Sequence, residues 1–392
     1  MTHQQLNREL GLGGAIVTGL GSIVGTGAFV AIGLASGMWG NAVLWAIPAA
    51  AVVAVFNGLS SAYLAGRYPV AGGTYEYGHQ ALNQWFGFTA GWLFLMAKTA
   101  SAASAALGVA LYLGTDNRLV PIGATVLVTA LVLAGIRRTT LANTVLLTLT
   151  IAAILWFAWD GVQGDGVAAD LSFDSPATAV LGATAFLFVA YTGYGRIATL
   201  GEEVKEPARI IPRAVIITLA ASALLYLAIE IGGQARGGPR WGTRLELGLG
   251  DMPLVTAGAI AAMLGVLLNL ILGLSRVWLA MGRRGEMPTV LARLDRRSQP
   301  TIAIVVSAAL VTALTLIGDI GLAWSFSAMT VLLYYGITNL SVLGLERRRA
   351  TAWLGVSSCV FLSFFVPEGV WLAGASLIVV GLVWKTAYTR FS

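Results

Sequence analysis

Apolar residues in this chain neither alternate with polar ones nor keep to one helical stripe; they come in long blocks. Between the polar segments the blocks run at about 10–35, 41–66, 84–113, 119–136, 143–160, 177–201, 211–232, 253–282, 301–318, 321–342, 351–366 and 369–386. A helix of about 20 residues crosses roughly 30 Å of hydrocarbon, so the pattern predicts twelve transmembrane helices in an all-α polytopic membrane protein. A transmembrane β-barrel calls for alternation in segments of about ten residues, and none is visible. The first block is longer than the apolar centre of a signal peptide and has no convincing cleavage site, so it reads as a retained helix.

Composition agrees. Of 392 residues 57% are apolar and 11% charged, with a mean hydropathy of +0.80, against about 25% charged in an average soluble protein. The one cysteine, Cys359, excludes a disulfide within the chain, and the only histidines are His3 and His79. A metal centre of His and Cys ligands is therefore not expected, nor is a cofactor. No nucleophile–base pair stands out, which argues against an enzyme.

The pI of 9.6 reflects where the basic residues fall. On the predicted topology one face collects Arg8, Arg67, Arg137, Arg138, Lys205, Arg209, Arg213, Arg276, Arg283, Arg284, Arg293, Arg296, Arg297, Arg347, Arg348, Arg349, Lys385 and Arg390. The other holds Arg118, Arg236, Arg240 and Arg244. The positive-inside rule then puts both termini in the cytoplasm, in a multi-pass protein of the cytoplasmic (inner or plasma) membrane. Nucleic acid is not an expected partner; the lipid bilayer is. Lys98 and Arg196 belong to neither face. They fall near the middle of the third and sixth blocks, a depth at which charges line a cavity or meet a partner.

Two blocks carry a glycine–threonine interruption. The first contains Gly25-Thr26-Gly27, and the sixth contains Tyr191-Thr192-Gly193-Tyr194. A helix broken at the midplane exposes N–H groups at the start of its second half, suited to an anion, and carbonyls at the end of its first, suited to a cation. Such a break persists only where protein or a polar ligand satisfies those groups. Paired breaks in matching positions of two halves point to a transporter with a midplane site. Close helix packing is the competing account of the small residues. Gly19, Gly21 and Gly25 also mimic a dinucleotide fingerprint, but no strand precedes them.

Four stretches, GSIVGTGAF (21–29), YPVAGGTYEY (68–77), GEEVKEPARIIPRA (201–214) and SRVWLAMGRRGEMP (275–288), resemble the amino acid–polyamine–organocation superfamily. That resemblance implies the leucine-transporter-type fold. Five helices are followed by five in inverted topology, with two C-terminal helices added. It divides the chain at 1–160 (helices 1–5), 161–345 (helices 6–10) and 346–392 (helices 11 and 12 and a cytoplasmic C-terminus). It also implies a substrate carboxylate on Thr26, Gly27 and Ala28, and an amine on carbonyls near Ile23, Val24, Val189, Ala190 and Thr192. Gly25, Tyr191, Gly193 and Tyr194 complete the expected substrate site. The 68–77 stretch is expected to be a cytoplasmic loop of turns.

Departures from the family pattern shape the functional reading. The fifth-helix lysine of many members is Thr150 here, and the eighth helix offers only Asn269 before Ser275. Sodium coupling therefore ranks below proton coupling or exchange. Lys98 and Arg196 are candidate relocated charges, Lys98 as a proton carrier and Arg196 as an anion contact or brace. The aromatic gate of many members is Val189 here, with Phe188, Tyr191 or Tyr194 as candidate replacements, or else a pocket that admits a larger side chain. Acidic residues sit mostly in loops, with Glu230 nearest the outer face, so a neutral or acidic amino acid is favoured over a cationic one or a polyamine. Arg67, Glu202, Glu203 and Arg276 are candidates for a cytoplasmic gate of ion pairs, against a solvated charged loop. The expectation is a secondary active amino acid transporter working by alternating access. A sodium symporter, a transporter-like receptor and an organic cation carrier are the rivals.

Overall fold

The structure, a computed structural model, describes residues 10–70, 72–163, 172, 174–199, 204–244, 252–318, 320–366 and 368–391. Almost all of them are helical. The elements are α1 (Leu12–Ile23), a π-helical turn (Gly27–Ala31), α2 (Ile32–Trp39), α3 (Ala42–Arg67), α4 (Thr74–Ala81), α5 (Gln84–Tyr112), α6 (Leu119–Leu133) and α7 (Ile136–Gln163). Then follow α8 (Ala177–Tyr191), a 3-10 turn (Thr192–Tyr194), α9 (Gly195–Thr199), α10 (Pro207–Gly237) and a second 3-10 turn (Trp241–Arg244). The chain closes with α11 (Pro253–Arg283), a short turn (Thr289–Ala292), α12 (Thr301–Ile317), α13 (Ile320–Leu345), α14 (Ala350–Ser363) and α15 (Glu368–Phe391).

Local chemistry sets many of these limits. Asn83 caps α5, its side-chain oxygen accepting from the backbone N–H of Trp85 at 2.9 Å and Phe86 at 3.1 Å, which satisfies donors a helix start leaves open. Pro207 and Pro253 open α10 and α11, where a missing N–H costs nothing. Gly238, at φ +74°, ends α10.

Among the described residues nine helices are long and apolar enough to cross a membrane. The expected spans at 119–136, 301–318 and 351–366 appear as the shorter apolar helices α6, α12 and α14. Two further differences stand out. The helix expected from 143 begins at Ile136, because the polar residues read as a loop form its first turns, with Thr139 Oγ1 donating to the Gly135 carbonyl at 2.9 Å. The 68–77 stretch is not all turn. Gly73, at φ +56°, reverses the chain and Thr74 then starts α4.

Burial ranks the helices. In the most apolar window of α5, 94% is buried inside the protein, against 22% for the α15 segment. Helix α5 packs against α11 and α13, while α10 packs against α3 and α7. The interrupted α1–α2 segment is likewise deeply enclosed, 83% buried, which positions it for a site rather than for contact with lipid.

Candidate functional site

The first interruption is a true break. Helix α1 ends at Ile23, and Val24 leaves helical geometry at φ −83°, ψ 88°. The chain resumes helix through Thr26 and the π-helical turn, and no side chain caps that start. The glycines are there for close approach. A Cβ on Gly25 would stand 2.9 Å from the Ala262 carbonyl oxygen, and one on Gly27 would stand 2.7 Å from the Ala190 Cβ. The packing account of these glycines holds, and packing at glycine is what brings the two interruptions together.

The sixth block corrects the expectation of a matching rupture. It does not unwind. Residues Thr192–Tyr194 tighten into a 3-10 turn between α8 and α9, with Tyr191 at φ −88°, ψ −15° and Thr192 at φ −72°, ψ 0°. A tighter turn still shifts carbonyls out of the regular ladder. Gly193 presses on the backbone of Ser22 and Ile23 at the end of α1.

A cavity of about 40 Å³ lies where these segments meet, lined on one side by Ser22, Ile23, Thr26 and Gly27, and on the other by Val189, Ala190, Thr192, Gly193 and Arg196. Phe94, Lys98 and Ser101 of α5, Val266, Asn269, Leu270 and Gly273 of α11, and Trp324 of α13 complete it. At roughly 10–15 Å³ per water that is room for about three waters. Lys98 Nζ donates to Thr192 Oγ1 at 2.9 Å, and that hydroxyl donates to the Val189 carbonyl at 2.8 Å. Two cationic side chains and an uncapped helix start thus face a chamber whose lining holds no carboxylate. Its field suits an anionic group.

The other expected residues stand nearby without lining it. Val24 and Gly25 form the break, and Gly25 meets α11. Ala28 lines a second, apolar cavity with Phe29, Tyr112 and Trp241. Tyr191 donates to the Ile47 carbonyl at 3.1 Å, and the Tyr194 ring packs on Tyr335 at 5.1 Å. Val189 does line the cavity, but Phe188, Tyr191 and Tyr194 do not replace the missing aromatic; Phe94 and Trp324 are the aromatic lining.

Thr150 is buried and turns its hydroxyl to the Leu146 carbonyl at 2.8 Å, 3.5 Å from that of Gly258. Asn269 donates to Asn143 Oδ1 at 2.7 Å, and Asn143 Nδ2 donates to the Val17 carbonyl at 3.2 Å, a polar bridge from α11 through α7 to α1. Of the gate candidates, Arg67 is exposed at the end of α3 and Arg276 is buried, its Nη1 donating to Ser275 Oγ at 3.2 Å. Glu202 and Glu203 lie outside the described residues. Among the described residues, Arg284 pairs with Glu76, and Glu286 pairs with Lys385 and touches His79.

Sequence reasoning missed the tyrosines that hold the freed carbonyls. Tyr226 Oη lies 2.8 Å from the Ile23 carbonyl oxygen and 2.9 Å from that of Ala190. Tyr335 donates to the Thr192 carbonyl at 3.1 Å and Tyr112 to that of Phe29 at 2.6 Å. Each is a phenol in an otherwise apolar helix, and that was the available signal, since a buried hydroxyl needs a partner.

Comparison with known proteins bears on this geometry. The family model described as amino acid permease matches residues 14–231 and 250–390. An uncharacterized transporter of Mycobacterium tuberculosis is 39% identical over 96% of this chain and 90% of its own length. The branched-chain amino acid permease of Bacillus subtilis is 24% identical over 77% of this chain and 73% of its own. A human cationic amino acid transporter is 26% identical over 85% and 59%. A broken first helix, a polar chamber against the sixth-block turn, and a family match along most of the sequence agree: the chain belongs to the amino acid permease family of the amino acid–polyamine–organocation superfamily and is a multi-pass membrane transporter, not an enzyme.

Proposed function

We propose that this permease is a secondary active transporter that carries neutral α-amino acids, and acidic ones less well, across the cytoplasmic membrane by alternating access, coupled to protons or working as an exchanger. The observation that carries this reading is the chamber between the uncapped start at Thr26 and the turn at Thr192–Tyr194. In it the N–H groups of Thr26 and Gly27 receive the substrate carboxylate, with Lys98 and Arg196 on the same chamber. The amine meets the carbonyls of Ile23, Val189, Ala190 and Thr192; the Ile23 and Ala190 oxygens share the single Tyr226 hydroxyl proton, so one of those two is open to another donor at any moment.

The same charges argue the substrate class. A lysine or arginine side chain entering a lining with two cations and no carboxylate meets like charge, so the branched-chain relative is the better guide than the cationic one. With about 40 Å³ of room, about three waters, the enclosed form is smaller than an amino acid, so the lining parts to admit one. On this reading the twelve apolar segments are spans in a five-plus-five inverted repeat with two added, divided at 1–160, 161–345 and 346–392, and both termini are cytoplasmic.

Counterflow in proteoliposomes tests the reading. Vesicles loaded with unlabelled leucine or alanine accumulate the labelled amino acid without an ion gradient if the protein is a carrier. No accumulation with any of the twenty amino acids overturns it.

A further inference from the structure

One carboxylate away from the chamber is sealed inside the protein. Glu230 of α10 has no exposed surface. One of its oxygens accepts from Gln234 Nε2 at 2.9 Å and the other from Trp241 Nε1 at 3.1 Å. Among the described residues no cation lies within ion-pair distance of it, so hydrogen bonds carry its charge. Beside it Gln234 Oε1 is buried with no hydrogen-bond partner. An orphaned acceptor next to a carboxylate is a vacant seat for one more proton.

The donor Trp241 begins the 3-10 turn that covers one end of the broken helix. Gly242 sits directly on the Gly33 carbonyl of α2, and Ser36 Oγ donates to the Pro239 carbonyl at 3.0 Å. The Trp241 ring also packs on Phe157 of α7, 5.9 Å between centroids. Glu230 therefore fastens to α10 the segment that rests on α2. One helical turn earlier on α10, Tyr226 holds the carbonyls of both interruptions. Among the charged and titratable groups on the neighbouring elements, Asp160 of α7 pairs with Arg236 and Tyr112 of α5 donates to the Phe29 carbonyl, while Arg240 runs its aliphatic stem past Gly40.

We propose that Glu230 is the proton-binding residue of the transport cycle, and that its protonation loosens the Trp241 turn so that the α2/α10 end can open. A hydronium ion delivers its proton to a Glu230 oxygen, an O–H bond forms, and neutral water leaves. The Gln234 amide turns over, and its Oε1 accepts the new O–H. Trp241 then donates to a neutral carboxyl oxygen in place of a carboxylate, and charge-assisted hydrogen bonds are about twice as strong as neutral ones. Loss of the proton to water restores both N–H bonds and the closed end. This inference rests on the proton-coupled form of the reading above.

The test uses the full-length protein in proteoliposomes, with leucine counterflow and tryptophan emission read as the external medium is acidified. Glu230→Gln is the neutral mimic, since its amide accepts from Trp241 and donates to Gln234. Wild-type exchange is expected to rise on acidification, while Glu230→Gln holds the acid rate throughout and loses the response. The emission difference between wild type and Trp241→Phe is expected to shift with acid, and the corresponding shift is expected to be lost when Glu230→Gln is compared with the double variant. A wild-type pH profile of exchange or emission in Glu230→Gln overturns the inference. If that variant does not fold, Trp241→Phe decides by the same criterion: an unaltered exchange response to acid overturns it. Absence of any wild-type exchange defeats the transporter reading instead, and the emission arm still decides the latch.

Discussion

The hydroxyl of Tyr226 stands 2.8 Å from the carbonyl oxygen of Ile23, the last residue of α1 before the chain leaves its helix. The same oxygen is 2.9 Å from the Ala190 carbonyl on α8, so one phenol spans both interrupted segments. Its single proton serves one of the two carbonyls at a time, and without it a buried carbonyl loses its donor, a change worth about 1–3 kcal/mol. Tyr226→Phe is therefore expected to lower thermal stability by that order and weaken amino acid binding about tenfold, read by melting in detergent and by equilibrium binding. Unchanged affinity would show that the two segments do not depend on this bridge.

Gly193 against the Ser22 backbone gives a steric prediction. A methyl group there has no room, and overpacking costs about 1–3 kcal/mol. Gly193→Ala is expected to abolish exchange, whereas Gly336→Ala in α13, where a Cβ meets nothing within 4 Å, leaves it intact. Equal activity of the two variants would remove this contact from the account.

Lys98 makes its hydrogen bond inside the chamber. Lys98→Ala is expected to reduce affinity for every amino acid tested, and most for acidic ones, because both lose a cation from the lining. Titration of binding with leucine and with glutamate measures it; a loss confined to one of them, or none, contradicts the assignment.

Glu286 lies beyond the end of α11; Tyr75 donates to it at 2.7 Å, His79 Nε2 lies 3.2 Å from that carboxylate, and Lys385, in the last turns of α15, donates at 2.9 Å. Burial alone would push the Glu286 carboxyl up, yet the bonds from His79, Tyr75 and Lys385 together hold it below its usual value. Stability from a depressed carboxyl is present above the unfolded value and is lost as pH falls through the folded one. Glu286→Gln is expected to lower the melting temperature at neutral pH, with a cost of about 3 kcal/mol for leaving buried partners unmatched, and the gap to wild type closes on acidification. A gap independent of pH would contradict it.

Replacement of sodium by choline is expected to leave uptake unchanged. A sodium ion needs several oxygen ligands, and the Thr150 hydroxyl is turned to helix carbonyls rather than to the chamber. Collapse of uptake in choline would reverse the ranking of coupling ions.

Block lengths made the helices legible, because membrane depth is written directly into runs of apolar residues. Helix ends were less so. Ile136 starts α7 earlier than expected because polar residues can form a first turn once Gly135 reverses the chain at φ +110°. The break at Val24 could be read from glycine next to threonine, but the same signal at Thr192–Gly193 marks a 3-10 turn. Glycine permits both outcomes, and the neighbouring backbone selects between them. Tyr226, Asn143 and Trp324 reach the site from helices distant in sequence, a kind of convergence that local pattern does not encode.

The central claim is that the uncapped helix start at Thr26 receives a carboxylate, and binding of leucine against leucinamide tests it most directly. The two ligands share the side chain and the amine and differ in the acid group alone. Leucine is expected to raise the melting temperature and displace labelled substrate, while leucinamide does neither. Equal binding of the amide would contradict the account.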